Sequence, residues 1–165
     1  LHIAAGFAYD AEDEARLPPD AKFRALEDLL HDHPRAIVVY QFVHELVSLR
    51  ERYPDAVVLA DNPEYAQRAW NAGEIDLLLM HPRSGGHGLN LQRGGNVMIQ
   101  LSPIYSADQS DQIIGRIWRR AQTEEVYRYT LCCVGSIDYA ILRKLADKNA
   151  NEKVLMEHLR ERVGR

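Results

Sequence analysis

At 165 residues, 46% hydrophobic and with a net charge of −4, the chain is long enough to bury one ordinary core, and its acidity argues against a self-sufficient nucleic-acid-binding domain, whose affinity rests on basic contacts to phosphate. No apolar stretch approaches the roughly 20 residues of a membrane span, and no charged-then-apolar leader opens the chain, so a soluble intracellular protein is expected. The only cysteines, Cys132 and Cys133, are neighbours on a predicted strand whose side chains alternate between faces, which disfavours a mutual disulfide, and no histidine or cysteine cluster has zinc spacing.

In chain order, Pro18-Pro19-Asp20 is a start signal for a helix from Ala21 to His31 carrying Leu26, Leu29 and Leu30. A strand from Ala36 to Tyr40 and a helix through Leu46 and Leu49 follow. Val57 to Ala60 reads as a short strand, and Asn62-Pro63 as an N-cap with proline at the first position of a helix ending near Ala72. The apolar runs Ile75 to Met80 and Asn96 to Leu101 read as strands buried on both faces. Ser106 and Gln109 resemble a capping box at the front of the next helix. A strand from Val126 to Val134 precedes helices at about 137–146 and 152–162. Strands separated by helical segments of this length predict an α/β fold with a mainly parallel sheet, helices on both faces and right-handed crossovers. Leu1 stands where a methionine would open a gene product, so a piece of a longer polypeptide, or a chain that has lost its start, is expected.

Two stretches carry chemistry. On the predicted helix Gln112-Ile113-Ile114-Gly115-Arg116-Ile117-Trp118-Arg119-Arg120-Ala121-Gln122, a rotation of roughly 100° per residue gathers Gln112, Arg116 and Arg119 within about 60°, while Ile113, Ile114, Ile117, Trp118 and Ala121 take the far side. Paired guanidinium groups grip phosphate oxygens, although a solvated amphipathic helix explains the same pattern. Between the two buried strands lies His81-Pro82-Arg83-Ser84-Gly85-Gly86-His87-Gly88-Leu89-Asn90-Leu91, whose glycines let the backbone approach a ligand with its amides free for anions. Together they favour a phosphate-handling site over a plain turn. His87 is expected to be a neutral histidine bonded to backbone, not a catalytic base.

The order of strand, Gly86-His87-Gly88-Leu89-Asn90-Leu91 loop, strand and Gln112 to Gln122 helix resembles motifs V and VI of superfamily II helicases, and most closely the C-terminal RecA-like lobe of Swi/Snf-type DNA translocases in a bacterial or phage-like version. Ala36-Ile37-Val38-Val39-Tyr40-Gln41-Phe42 is similar to motif IV, and Gly6 to Tyr9 with Lys22 to Leu26 is similar to the opening of that lobe. The resemblance implies a RecA-like three-layer sandwich over 21–146, a lead-in at 1–20 and a C-terminal helix at 147–165. It implies Arg119 as arginine finger with Arg116 as its partner, Gln112, Gly88 and Asn90 beside the nucleotide, and Arg83, Ser84, Gln41 and Tyr105 toward nucleic acid. It also implies ATP and magnesium, both dependent on an N-terminal RecA-like lobe of the same protein. Double-stranded DNA is the implied partner, with no membrane and a monomeric fragment, in the cytoplasm of a bacterial or phage-infected cell.

Departures from the pattern are specific. His81-Pro82-Arg83 stands where Ser-Thr-Lys opens motif V in eukaryotic members, removing the threonine expected at a DNA phosphate and leaving Arg83 or Ser84 to replace it. Tyr105 replaces a common tryptophan, Arg120 lies beside the anion face as a surface residue, and Trp118 is read as core. The sequence holds no Gly-x-x-x-x-Gly-Lys-Ser/Thr loop and no magnesium-binding Asp-Glu pair after a buried strand, so this chain is expected to be inactive alone. Two other readings stand beside the motor: a catalytically silent phosphate or nucleic-acid binding module of the same fold, and an RNA helicase lobe.

Overall fold

The aliphatic runs at 36–39, 77–80 and 97–100 lie side by side in parallel at the centre of a five-stranded sheet. The computed structural model describes residues 8–9, 15–16, 21–84, 89–104, 106–117 and 122–132, with isolated helical residues at 138, 142, 143 and 146. A two-residue antiparallel ribbon, β1 (Ala8–Tyr9) with β2 (Ala15–Arg16), precedes the sheet. Then come α1 (Ala21–Asp32), β3 (Ala36–Val39), α2 (Val43–Arg52), β4 (Val57–Val58), α3 (Pro63–Ala72), β5 (Leu77–Met80), β6 (Val97–Gln100), α4 (Ala107–Ile117) and β7 (Tyr127–Thr130). The sheet order is β4-β5-β3-β6-β7 and every pairing within it is parallel.

Strand alternation divides the core into two layers. Ala36, Val38 and Tyr40 face Phe23 and Leu26 of α1 and Leu49 of α2, whereas Ile37 and Val39 face Ala66 and Trp70 of α3 and Ile113 of α4. Helices therefore cover both faces, and the expected α/β three-layer sandwich is the fold observed. Because β3 and β6 are buried along their whole length, neither can alternate apolar with polar residues. Fully burying each leucine or isoleucine contributes about 1.5–3 kcal/mol.

Local signals set most boundaries. Asn62 Oδ1 accepts from Tyr65 N at 3.1 Å, Pro63 takes the first helical position, and Gly73 at φ 80° ends α3 in the left-handed conformation that glycine adopts without strain. Ser106 Oγ accepts from Gln109 N at 3.4 Å, a long cap at the front of α4. The predicted strands are trimmed where tertiary geometry intervenes. At the sheet edge the chain leaves β4 in a turn closed by Asp61 N to Val58 O, so Leu59 and Ala60 fall outside the strand. Strand β7 ends at Thr130, four residues short of Val134; Cys132 is half-buried, while Cys133 and Val134 lie outside the described residues. The predicted helix at 137–146 is described only at the isolated residues above, and that at 152–162 lies outside them.

The sheet order places a ligand crevice by topology. The connection leaving β3 runs over β5 to β4, and the connection leaving β6 runs the other way to β7. The two loops diverge at the carboxyl ends of adjacent strands, which is where open parallel sheets hold ligands.

Candidate functional site

Tyr40, Gln41 and Phe42 leave β3 at that crevice, and Leu101, Ser102 and Pro103 leave β6 on its other side. Gln41 Nε2 donates to Pro103 O at 3.2 Å, bridging the two loops. Beneath them Glu45 is fully buried, and its Oε2 accepts from Gln41 N at 2.7 Å and Phe42 N at 3.1 Å, satisfying amides at the start of α2. Its Oε1 accepts from Ser102 Oγ at 2.6 Å, and Ser102 Oγ accepts from Lys22 Nζ at 3.1 Å. Lys22 Nζ also pairs with Asp138 Oδ2 at 2.6 Å, both side chains being nearly inaccessible. Burial pushes the Glu45 pKa above its ordinary value, and the hydrogen bonds from Ser102, Gln41 and Phe42 oppose the rise.

The loop after β5 is organised by its own short side chains. Ser84 Oγ donates to His81 O at 2.8 Å and accepts from His81 N at 3.0 Å, so the hydroxyl closes the turn. Arg83 N donates to His81 Nδ1 at 3.1 Å, which requires that nitrogen to be unprotonated. Burial lowers the His81 pKa, a hydrogen bond to the Gln41 backbone opposes it and the charge of Arg83 adds to it; the ring is neutral and tilts 5.5 Å from Tyr40. The Arg83 residue is exposed and Pro82 buried. Gly85, Gly86, His87 and Gly88 lie outside the described residues.

Beyond that loop the chain is pinned to α3. Asn90 O accepts from Asn71 Nδ2 at 2.7 Å, Asn90 Oδ1 accepts from Gln92 N at 3.2 Å, and Leu91 O accepts from Trp70 Nε1 at 2.9 Å. Leu91 N donates to Arg116 O at 3.1 Å, tying the loop to the end of α4. On α4 Ile113 is buried and Gln112 exposed, as the helical wheel requires, and Arg116 is half-buried with Nη1 3.8 Å from Sδ of Met80, the last residue of β5. That contact sets Arg116 near the carboxyl edge of the sheet. Arg119, with Trp118, Arg120 and Ala121, lies outside the described residues, as does Tyr105. Past that gap Gln122 Nε2 donates to Gln92 O at 2.9 Å and Gly95 O at 3.3 Å.

Of the residues singled out in the sequence, Gln41, Arg83, Ser84 and Arg116 follow or neighbour the carboxyl ends of β3 and β5, and Asn90 is joined through Leu91 to Arg116. Exposed Gln112 sits one turn before Arg116 on α4. Sequence reasoning missed the roles of Glu45, Ser102, Lys22 and Asp138. Only Glu45 had a local signal, a glutamate at the third helical position able to reach back to the turn. A cleft of about 310 Å³ between Gln92–Asn96 and Gln122–Glu124 precedes β6 and β7, and so lies at the amino edge, away from this crevice. Among the described residues no cluster of three histidine, cysteine or acidic side chains forms a metal site, and no helix is long and apolar enough to cross a membrane.

An all-parallel sheet with helices on both faces, a crevice at its carboxyl edge and an arginine helix beside it define a RecA-like lobe. The chain is homologous to RAD54-like helicase proteins of the Swi/Snf type. It is 32% identical over 170 residues to protein p41 of Acyrthosiphon pisum secondary endosymbiont phage 1, covering 98% of this chain and 37% of that protein. It is 29% identical over 166 residues to the DNA repair and recombination protein RAD54-like of Drosophila pseudoobscura pseudoobscura, covering 91% of this chain and 21% of the relative. The counterpart in Drosophila persimilis is 23% identical over 166 residues, with the same coverage of 91% and 21%. The crystal structure of the C-terminal part of the Fun30 ATPase domain superposes with a TM-score of 0.67 at 22% identity, over 74% of this chain and 44% of that one. No protein-family model matches the chain. The chain thus spans about a third or less of the length of these curated relatives.

Proposed function

We propose that this chain is the C-terminal half of an ATP-dependent double-stranded DNA translocase, with the RecA-like lobe over 21–146. The reading is carried by Arg116, whose guanidinium lies beside the end of β5 while its carbonyl is bonded to the loop that follows the glycines. Arg119 follows three residues later in the sequence, a spacing at which two residues share one face of a helix. In this reading ATP is held mainly by an N-terminal lobe, since this sequence has no phosphate-cradling loop. Arg119 reaches the transferred phosphoryl group as arginine finger, and Arg116 supports it; fixed guanidinium donors stabilise charge that develops in the transition state. Magnesium would be held by the other lobe and would supply charge neutralisation at the phosphates. Gln112, Gly88 and Asn90 flank the nucleotide, while exposed Arg83 leads the contacts to duplex DNA, with Ser84, Gln41 and Tyr105 around it. The soluble motor works in the cytoplasm of a bacterial or phage-infected cell.

The test is turnover by the two-lobe protein. Arg119→Ala should lower it by about 10³-fold, the scale of arginine-finger effects. Arg119→Lys should restore little, because a single ammonium lacks the planar two-point contact. Arg120→Ala should be mild. Unchanged turnover in Arg119→Ala overturns the assignment and favours the catalytically silent module.

A further inference from the structure

We infer that Lys22 and Glu45 are positioning residues that lock the two loops of the crevice into one unit, so that Gln41 and Pro103 respond together when duplex DNA meets this edge. The DNA clause rests on the function proposed above; the lock itself does not. Its parts come from four stretches distant in sequence: Lys22 on α1, Gln41 in the turn after β3 with Glu45 just beyond it on α2, Ser102 after β6, and Asp138.

The direction of the hydrogen bonds makes the arrangement unique. Lys22 can only donate, and the amides of Gln41 and Phe42 can only donate. The Ser102 hydroxyl is the one group able to turn. It accepts from Lys22, so its own proton goes to Glu45 Oε1 at 2.6 Å, leaving Glu45 Oε2 for the two amides. Every proton has one place, and each link needs the one before it. Lys22 is 5% exposed, Ser102 and Asp138 1%, and Glu45 0%, so water cannot replace a lost member. A buried charged network of this kind is costly beside an apolar core of equal volume, and its return is a fixed geometry. Here the geometry fixed is that of Gln41, whose main chain is held by Glu45 and whose side chain holds Pro103 O at 3.2 Å.

Amide hydrogen exchange on the 165-residue chain tests the lock. Lys22→Met, which keeps the stem but removes charge and donors, should speed exchange at Gln41 and Phe42 at least tenfold more than at Val38 and Val39 in β3. Ser102→Ala removes only the relaying hydroxyl, leaves the Lys22–Asp138 pair, and should loosen the same two amides; it carries the test should Lys22→Met not fold. Wild-type rates at Gln41 and Phe42 in Ser102→Ala, or acceleration spread evenly over β3, overturn the lock. In the two-lobe protein, Ser102→Ala should raise the DNA concentration giving half-maximal stimulation of ATP turnover at least fivefold, with turnover at saturating DNA within twofold. Loosened amides with an unchanged DNA requirement keep the lock and remove its role at DNA. Wild-type protein that DNA does not stimulate refutes the functional reading alone.

Discussion

Glu45 has a carboxylate where water does not reach, held by three donors from two loops. Its folded pKa is raised above the ordinary 4.5, chiefly by burial. The sign follows from proton linkage: the folded state holds the proton to higher pH than the unfolded chain does. The contribution of this group is therefore fully present below pH 4.5 and is lost as pH rises through the folded value. Glu45→Gln is nearly isosteric and cannot ionise, so it should lack this loss. Urea melts from pH 4.5 upward should show the variant gaining stability relative to wild type as pH rises. Parallel profiles would mean that the three hydrogen bonds fully offset burial. The motif IV segment was legible in the sequence, but not the acid beneath it, because the partners that make Glu45 tolerable lie 20 and more residues away: Lys22 before it and Ser102 after it.

At the scale of elements, α3 acts as the strap that holds the loop between β5 and β6. Trp70 is fully buried, donates to Leu91 O and covers Gly94 and Gly95. A Cβ at Gly94 would lie 2.2 Å from Cδ1 and Nε1 of the indole, a ring with no free end to swing aside. Gly94→Ala should therefore cost about 3 kcal/mol, the upper part of the overpacking range, read as a lowered denaturation midpoint. At Gly95 the same atom meets the ring edge at 3.0 Å, and the cost should be smaller. Gly115→Ala is the control: its Cβ meets nothing within 4 Å inside α4, so the substitution should stabilise the isolated chain by about 0.5–1 kcal/mol through helix propensity. Equal losses at Gly94 and Gly115 would show that the indole packing does not set the cost. The sequence announced α3 through Asn62 and Pro63, but nothing local to Gly94 and Gly95 says that both must lack a side chain. The indole that requires them is 24 residues upstream of Gly94.

For the whole molecule, the proposed function makes this chain one wall of a nucleotide site, which should not turn over ATP by itself. The isolated chain is expected to show none above background, with Arg119→Ala as the control for contaminating ATPases. Its net charge of −4 means that DNA binding should be weak and lost steeply with salt, whereas the two-lobe protein should bind duplex DNA and be stimulated by it. Titration of both at two ionic strengths decides this; tight, salt-insensitive binding by the chain alone favours an independent binding module.

The elements from α1 to β7 and their order, the caps of α3 and α4, the parallel sheet and the exposure of Gln112 on α4 were legible in one dimension, whereas the β1–β2 ribbon was not. Each rests on contacts within a few residues or on a periodicity of two or 3.6. Strand lengths at β4 and β7 were over-read, since a run of β-branched residues does not say where its neighbour ends. The tertiary structure alone decided which strands are adjacent, and so where the crevice between β3 and β6 opens. It alone joined Lys22, Glu45, Ser102 and Asp138, and set Trp70 against Gly94. Such pairings carry no local signal, because a buried ion pair or a close packing contact is tolerated only once distant segments have excluded water around it.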